Sequence, residues 1–141
     1  MNALVIVDIQ PLFGKPPGSV LSSIKREIAN ADKIALVQAI GAGETLPEII
    51  AALPADYVGI WKHGFSGGHL VRHAFPALKR ARVCGMYSTQ CVLCTAADLA
   101  EHSVQTTIVG DAVWNGGPYP VADYREWVEV HAQRNSLKLI V

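Results

Sequence analysis

Three residue types that together make a thiol nucleophile stand where apolar runs of the sequence end. Asp8 closes Leu4-Val5-Ile6-Val7, Lys62 closes Val58-Gly59-Ile60-Trp61, and Cys91 follows Arg80 to Gly85 by one short turn. The thiolate is the reactive form of cysteine, a nearby ammonium favours it, and a carboxylate can accept the thiol proton. A helix starting at Cys91 would add the partial positive charge of its N-terminus and lower the thiol pKa further. The same residue types also have plain uses, because cysteine is among the most buried side chains and strand ends often carry polar groups. Asp8, Lys62 and Cys91 therefore make a site only if the fold brings them together.

The elements that would do so alternate along the whole chain. Ala3 to Val7 is apolar on both faces, as in a strand covered on both sides of a parallel sheet. Residues 19–30 space Leu21, Ile24 and Ile28 three and four apart, the pattern of an amphipathic helix. A second strand is predicted over Lys33 to Gln38, a short helix over Glu44 to Ala52 and a third strand over Tyr57 to Trp61. Leu70, Ala74 and Leu78 mark a helix with Pro76 inside it, Arg80 to Gly85 a fourth strand, and Val92, Ala96 and Leu99 the buried stripe of a helix that Ser88 or Thr89 can cap. Thr106 to Gly110 reads as a fifth strand, Pro120 to Gln133 as a last helix and Leu137 to Val141 as a sixth strand. Six strands alternating with helices imply a doubly wound, three-layer α/β/α domain with a parallel sheet, and no linker divides residues 1–141. Such sheets bind ligands beyond the carboxyl ends of their strands, which here carry Asp8, Lys62, Gly85 and Asp111.

Composition narrows the partners. With 141 residues, 50% hydrophobic and 17% charged, the chain can fill a core. Twelve basic and twelve acidic side chains cancel, so the basic footprint of a nucleic-acid or membrane-surface binder is missing. Asp8 interrupts the N-terminal apolar stretch, no run reaches the length of a membrane span, and no signal-peptide start is present, so a cytoplasmic address is expected. Cys84, Cys91 and Cys94 are an odd number of thiols, expected free. The apolar surplus makes a homo-oligomer the expected state.

Four segments together resemble the isochorismatase-like cysteine hydrolases, a family that includes nicotinamidases: Leu4-Val5-Ile6-Val7-Asp8-Ile9-Gln10, Trp61-Lys62-His63-Gly64-Phe65-Ser66-Gly67, Gly85-Met86-Tyr87-Ser88-Thr89-Gln90-Cys91-Val92 and Val109-Gly110-Asp111-Ala112. Their order and the Gly-x-x-[Ser/Thr]-x-x-Cys-Val pattern carry the resemblance, which spans most of the chain. It implies a Rossmann-like sheet of order 3-2-1-4-5-6 and a triad in which Asp8 takes the thiol proton, Cys91 attacks an amide carbonyl and Lys62 holds the developing charge. It further implies a cis peptide at Met86-Tyr87 and an oxyanion hole from the backbone N–H groups of Tyr87 and Cys91. Phe13, Trp61, His63, Phe65, Tyr87 and Trp114 are candidates for the walls of a small-molecule pocket.

The chain departs from that family in being shorter than typical members and in its metal motif. Nicotinamidases carry Asp-x-His after strand two, where this chain reads Ala39-Ile40-Gly41-Ala42-Gly43-Glu44, so neither a catalytic metal nor another cofactor is expected. A first strand-to-helix turn reading Asp8-Ile9-Gln10-Pro11-Leu12-Phe13-Gly14 lacks the dinucleotide fingerprint. Cys91-Val92-Leu93-Cys94 has redox spacing but apolar residues between its thiols, and His69 with His73 would need further ligands, Cys84 being the nearest, to bind zinc. The sequence thus reads as a metal-independent hydrolase acting on a C–N bond of a small amide through a Cys thioester. Its short length leaves open a catalytically inactive protein that binds or scaffolds.

Overall fold

The computed structural model describes residues 1–116, 130 and 138–140. Its strands are β1 (Asn2–Val7), β2 (Ile34–Ala39), β3 (Val58–Lys62), β4 (Arg80–Met86), β5 (Gln105–Trp114) and β6 (Lys138–Ile140). They form one six-stranded sheet of order β3-β2-β1-β4-β5-β6, the order that the resemblance implies. All five pairings are parallel, with Val5 level with Ala35 and Val83 at the centre.

Alternation along the strands sends side chains to two separate cores. On one face Val5, Val7, Val37 and Val83 pack with Val71 of α3 (Gly68–Ala74) and with Val92, Ala96 and Leu99 of α4 (Cys91–Glu101). On the other, Leu4, Ile6, Leu36 and Met86 pack with Leu21, Ile24 and Ile28 of α1 (Gly18–Asn30) and Ile49 of α2 (Pro47–Ile50). Helices on both faces make the sheet doubly wound and explain why β1 is apolar on both sides.

Several boundaries differ from the sequence reading. The helix predicted over Glu44 to Ala52 is the single turn α2, because Pro47 has no N–H to give to a preceding turn and sits at the first helical position. α3 stops at Ala74 instead of running to Leu78, as the residue before a proline disfavours helix. β5 extends to Trp114 rather than ending at Gly110, through an irregularity in which Val83 pairs Ile108 but Gly85 pairs Val113. Asp111 is therefore inside β5, not at its end. The last predicted helix, 120–133, lies outside the described residues apart from Val130.

Candidate active site

Asp8 is the first residue beyond β1, and its backbone turns into the left-handed region with φ 53°. Aspartate is one of the few non-glycine residues that enters this region readily. Its N–H still donates to the Val37 carbonyl at 3.0 Å, so the turn is anchored to the neighbouring strand. Beside it, Gly85 has φ 112°, and a Cβ there would run into the backbone of Val7. Glycine thus lets β4 close on β1 directly beneath Asp8.

Lys62 ends β3 on the same sheet face as Ile60, and Cys91 is the first residue of α4. All three side chains are buried, Asp8 and Lys62 at 1% exposure and Cys91 at 6%. The Lys62 ammonium lies 3.1 Å from Asp8 Oδ2. It also donates to Cys91 Sγ at 3.5 Å and to the Gly64 carbonyl at 2.7 Å. The cation therefore sits between acid and thiol, in a place closed to bulk water.

Burial decides the protonation states. It raises the Asp8 carboxyl above its ordinary value, against the lowering effects of the Cys91 thiol and the Lys62 ammonium. Beyond those two neighbours the carboxylate oxygens accept no hydrogen bond from the described residues, which leaves them basic. The Cys91 thiol is pushed up to about 12 by burial first and by Asp8 second, more than Lys62 offsets. This reverses the lowered thiol pKa expected from the helix terminus and the ammonium. The resting state is a neutral thiol beside an ion pair, and moving one proton from Sγ to Asp8 produces the thiolate with no change in net charge. Cys84, wholly buried in the sheet, is raised by burial as well, while Cys94 is exposed.

The turn between β4 and α4 contains the cis Met86-Tyr87 bond. Its Tyr87 carbonyl accepts from the N–H groups of Gln90 and Val92. The N–H groups of Tyr87 and Cys91 donate to no backbone acceptor among the described residues. The turn is held from β5 by Ser88 N–H on the Trp114 carbonyl at 3.2 Å and by Thr89 Oγ1 on Asn115 Oδ1 at 2.9 Å. The Tyr87 ring stands edge-on to Phe13, centroids 5.7 Å apart, and its hydroxyl donates to the Phe13 carbonyl. Trp114 lies against Gly14. Phe13, Tyr87 and Trp114 thus gather along one side of the turn. Trp61 does not: it precedes Lys62 in an extended strand, points to the opposite face of the sheet and is 49% exposed. His63 and Phe65 lie exposed in the loop after Lys62, and His69 and His73 are exposed on α3.

Two groups at the site escaped the sequence reading. The Gly64 carbonyl is invisible to side-chain inspection. Thr95 is fully buried one helical turn after Cys91, and that spacing was the available signal.

No family model and no curated protein matches the chain. Solved structures do match. The chain superposes on the MAR1 ribonuclease of Caenorhabditis elegans with TM-score 0.86 at 21% identity, covering 99% of this chain and 76% of that one. For the pyrazinamidase/nicotinamidase of Streptococcus mutans the values are 0.81, 16%, 99% and 100%. For an isochorismatase-like hydrolase of Alkaliphilus metalliredigens they are 0.79, 14%, 99% and 94%. This chain has the isochorismatase-like hydrolase fold.

Among structures of this fold, the pyrazinamidase of Pyrococcus horikoshii is a zinc complex, with TM-score 0.76 at 20% identity over 99% of this chain and 98% of that one. The described residues that follow β2 do not suit such an ion. Residues 39–44, after β2, contribute one carboxylate, Glu44, which is exposed, and no histidine. Instead the buried Gln10 amide ties this segment down, accepting from Ala39 N–H and donating to the Ala39 and Gly43 carbonyls at 2.7–3.0 Å. Among the described residues no group of three or more His, Cys, Asp or Glu could hold a metal, and no helix is long and apolar enough to cross a membrane.

Proposed function

We propose that the protein is a metal-independent cysteine hydrolase that cleaves a C–N bond of a small amide. The observation that carries this reading is the Lys62 ammonium placed 3.1 Å from Asp8 and 3.5 Å from Cys91 in a buried site. In the first half-reaction Asp8 accepts the thiol proton as Sγ bonds to the amide carbon. The Tyr87 and Cys91 N–H groups stabilise the oxyanion, with Lys62 balancing the charge on sulfur. The C–N bond breaks as Asp8 returns the proton to nitrogen, releasing ammonia or an amine. Water then gives a proton to Asp8 while its oxygen adds to the thioester carbon, and the departing sulfur recovers that proton, yielding the carboxylic acid.

Proteins of this fold include a ribonuclease and a pyrazinamidase, so the fold does not select the substrate. The balance of twelve basic and twelve acidic residues favours a small molecule over a polyanion. The test is ammonia release from a panel of small primary amides, with intact-mass detection of an acyl adduct. Wild type should turn over at least one amide and carry the adduct on Cys91. Cys91→Ala should abolish both, and Asp8→Asn should lower the rate by about 10²- to 10⁴-fold. Iodoacetamide labelling gives a substrate-free check. Because the Asp8–Cys91 pair shares one proton, the Cys91 rate should stay level through neutral pH, whereas in Asp8→Ala, which removes the carboxylate that holds the thiol pKa up, it should climb with pH as a lone thiol does. Labelling of Cys91 no faster than Cys94 and indifferent to Asp8 would instead mark a binding protein.

A further inference from the structure

The loop that follows Lys62 is gripped by the helix that begins with Cys91. Thr95 Oγ1, on α4 one turn beyond the nucleophile and fully buried, accepts the Gly67 N–H at 3.0 Å. Asp98, one turn further, accepts from Ser66 Oγ at 3.2 Å and pairs with Arg72 at 3.3 Å. Gly67 itself is pressed between strand and lysine: a Cβ there would lie 2.6 Å from Val37 Cγ1 and 3.5 Å from Lys62 Cδ. The same loop supplies the Gly64 carbonyl that receives a proton of the Lys62 ammonium. Height and direction of the loop therefore set where the ammonium can stand.

We propose that Thr95 is a positioning residue, which through Gly67 and the 63–67 loop holds the Lys62 ammonium between Asp8 and Cys91. The inference rests on the triad reading of the site and adds to it a residue that touches neither substrate nor the reacting atoms. Thr95 couples the two halves of the site, since one side chain joins the nucleophile's own helix to the cation's loop. Without its acceptor the buried Gly67 N–H loses its partner, the loop lifts, and the Gly64 carbonyl draws Lys62 away from sulfur. The groups facing the thiol and the cation are then Asp8 from β1 and the carbonyl of Gly64, with Asp98 and Arg72 behind the loop.

The experiment is the pH-rate profile of Cys91 alkylation by iodoacetamide in the full chain, read by peptide mass spectrometry with Cys94 as internal reference. Thr95→Val removes the acceptor at nearly constant volume, while Thr95→Ser keeps it. In Thr95→Val the Cys91 rate should drop about tenfold and its acid limb move to higher pH, as expected when the thiolate loses about one pKa unit of stabilisation. Thr95→Ser should retain the wild-type profile, and Cys94 should not respond to either change. A folded Thr95→Val with a wild-type profile would overturn the proposal, because lost packing alone moves stability and not this profile. Should Thr95→Val fail to fold, Thr95→Ala decides, since it removes the same Gly67 acceptor with a smaller side chain. A shift in the same direction supports the proposal and an unchanged profile overturns it. Lys62→Ala, run in parallel, separates the two readings. If it leaves Cys91 labelling unchanged the triad itself fails; if it slows labelling while Thr95→Val does not, only the positioning role fails.

Discussion

Lys62 is the largest side chain that the described part of the protein buries completely. Lysines are almost never so placed unless paired, and here the partner is Asp8. Removing one member of a buried pair strands the other, at a cost of about 3–5 kcal/mol. Lys62→Met should therefore unfold at distinctly lower urea at neutral pH. The sign of its pH dependence follows from Asp8, whose folded pKa lies above the unfolded 3.8. A raised pKa contributes stability at low pH and loses it as pH rises through the folded value. Without the ammonium that value rises further, so the deficit of Lys62→Met should shrink on going from about pH 8 to about pH 5. Combining it with Asp8→Asn should recover most of the loss, because no unpaired carboxylate remains. Urea midpoints of the wild type and of both variants at both pH values check this. A deficit independent of pH would mean that the lost lysine stem, and not the stranded carboxylate, is the cause.

At the scale of elements, the approach of β4 to β1 is what sets Asp8 above the turn that leads into Cys91. Gly85→Ala combines a φ of 112° with a Cβ that meets the Val7 backbone, so it should cost upwards of about 2 kcal/mol by urea denaturation. Any stable remnant should show slowed Cys91 labelling. The strand ends carrying Asp8 and Lys62 were legible in the sequence because uninterrupted β-branched runs stop at charged residues there. The turn between β4 and Cys91 was legible from its spacing. β5 was not, since Gly110 and Asp111 read as a stop and only the neighbouring strand shows that the chain continues through an irregularity to Trp114. The direction of the Cys91 pKa was also hidden: helix start and lysine are visible in one dimension, whereas burial against Asp8 exists only in three. In the sequence Thr95 is one more polar residue of a helix, and only the fold turns its hydroxyl toward the loop of another element.

Across the whole molecule the balance of charge bears on substrate. Relatives in fold include a ribonuclease, yet this chain has no net formal charge at pH 7. Polyanion binding draws its affinity from neutralised phosphates and weakens steeply with salt. Single-stranded RNA in a filter-binding assay should thus show no salt-sensitive retention by this protein at about 50 mM salt. Retention with a steep salt slope would argue for a local basic surface and reopen the choice of substrate.

The sheet order also has a temporal meaning. β1 lies between β2 and β4 in the interior of the sheet, and α4 packs on that interior, but β3 is an edge strand with a single neighbour. Edges open in local excursions that leave the rest of a domain intact. Asp8 and Cys91 belong to the part that lets go last, and Lys62 to the part that lets go first. On warming, Lys62 would leave Asp8 and Cys91 by fraying at the rim while the body of the protein is still native, so that the three-residue cluster has a narrower temperature range than the fold that carries it.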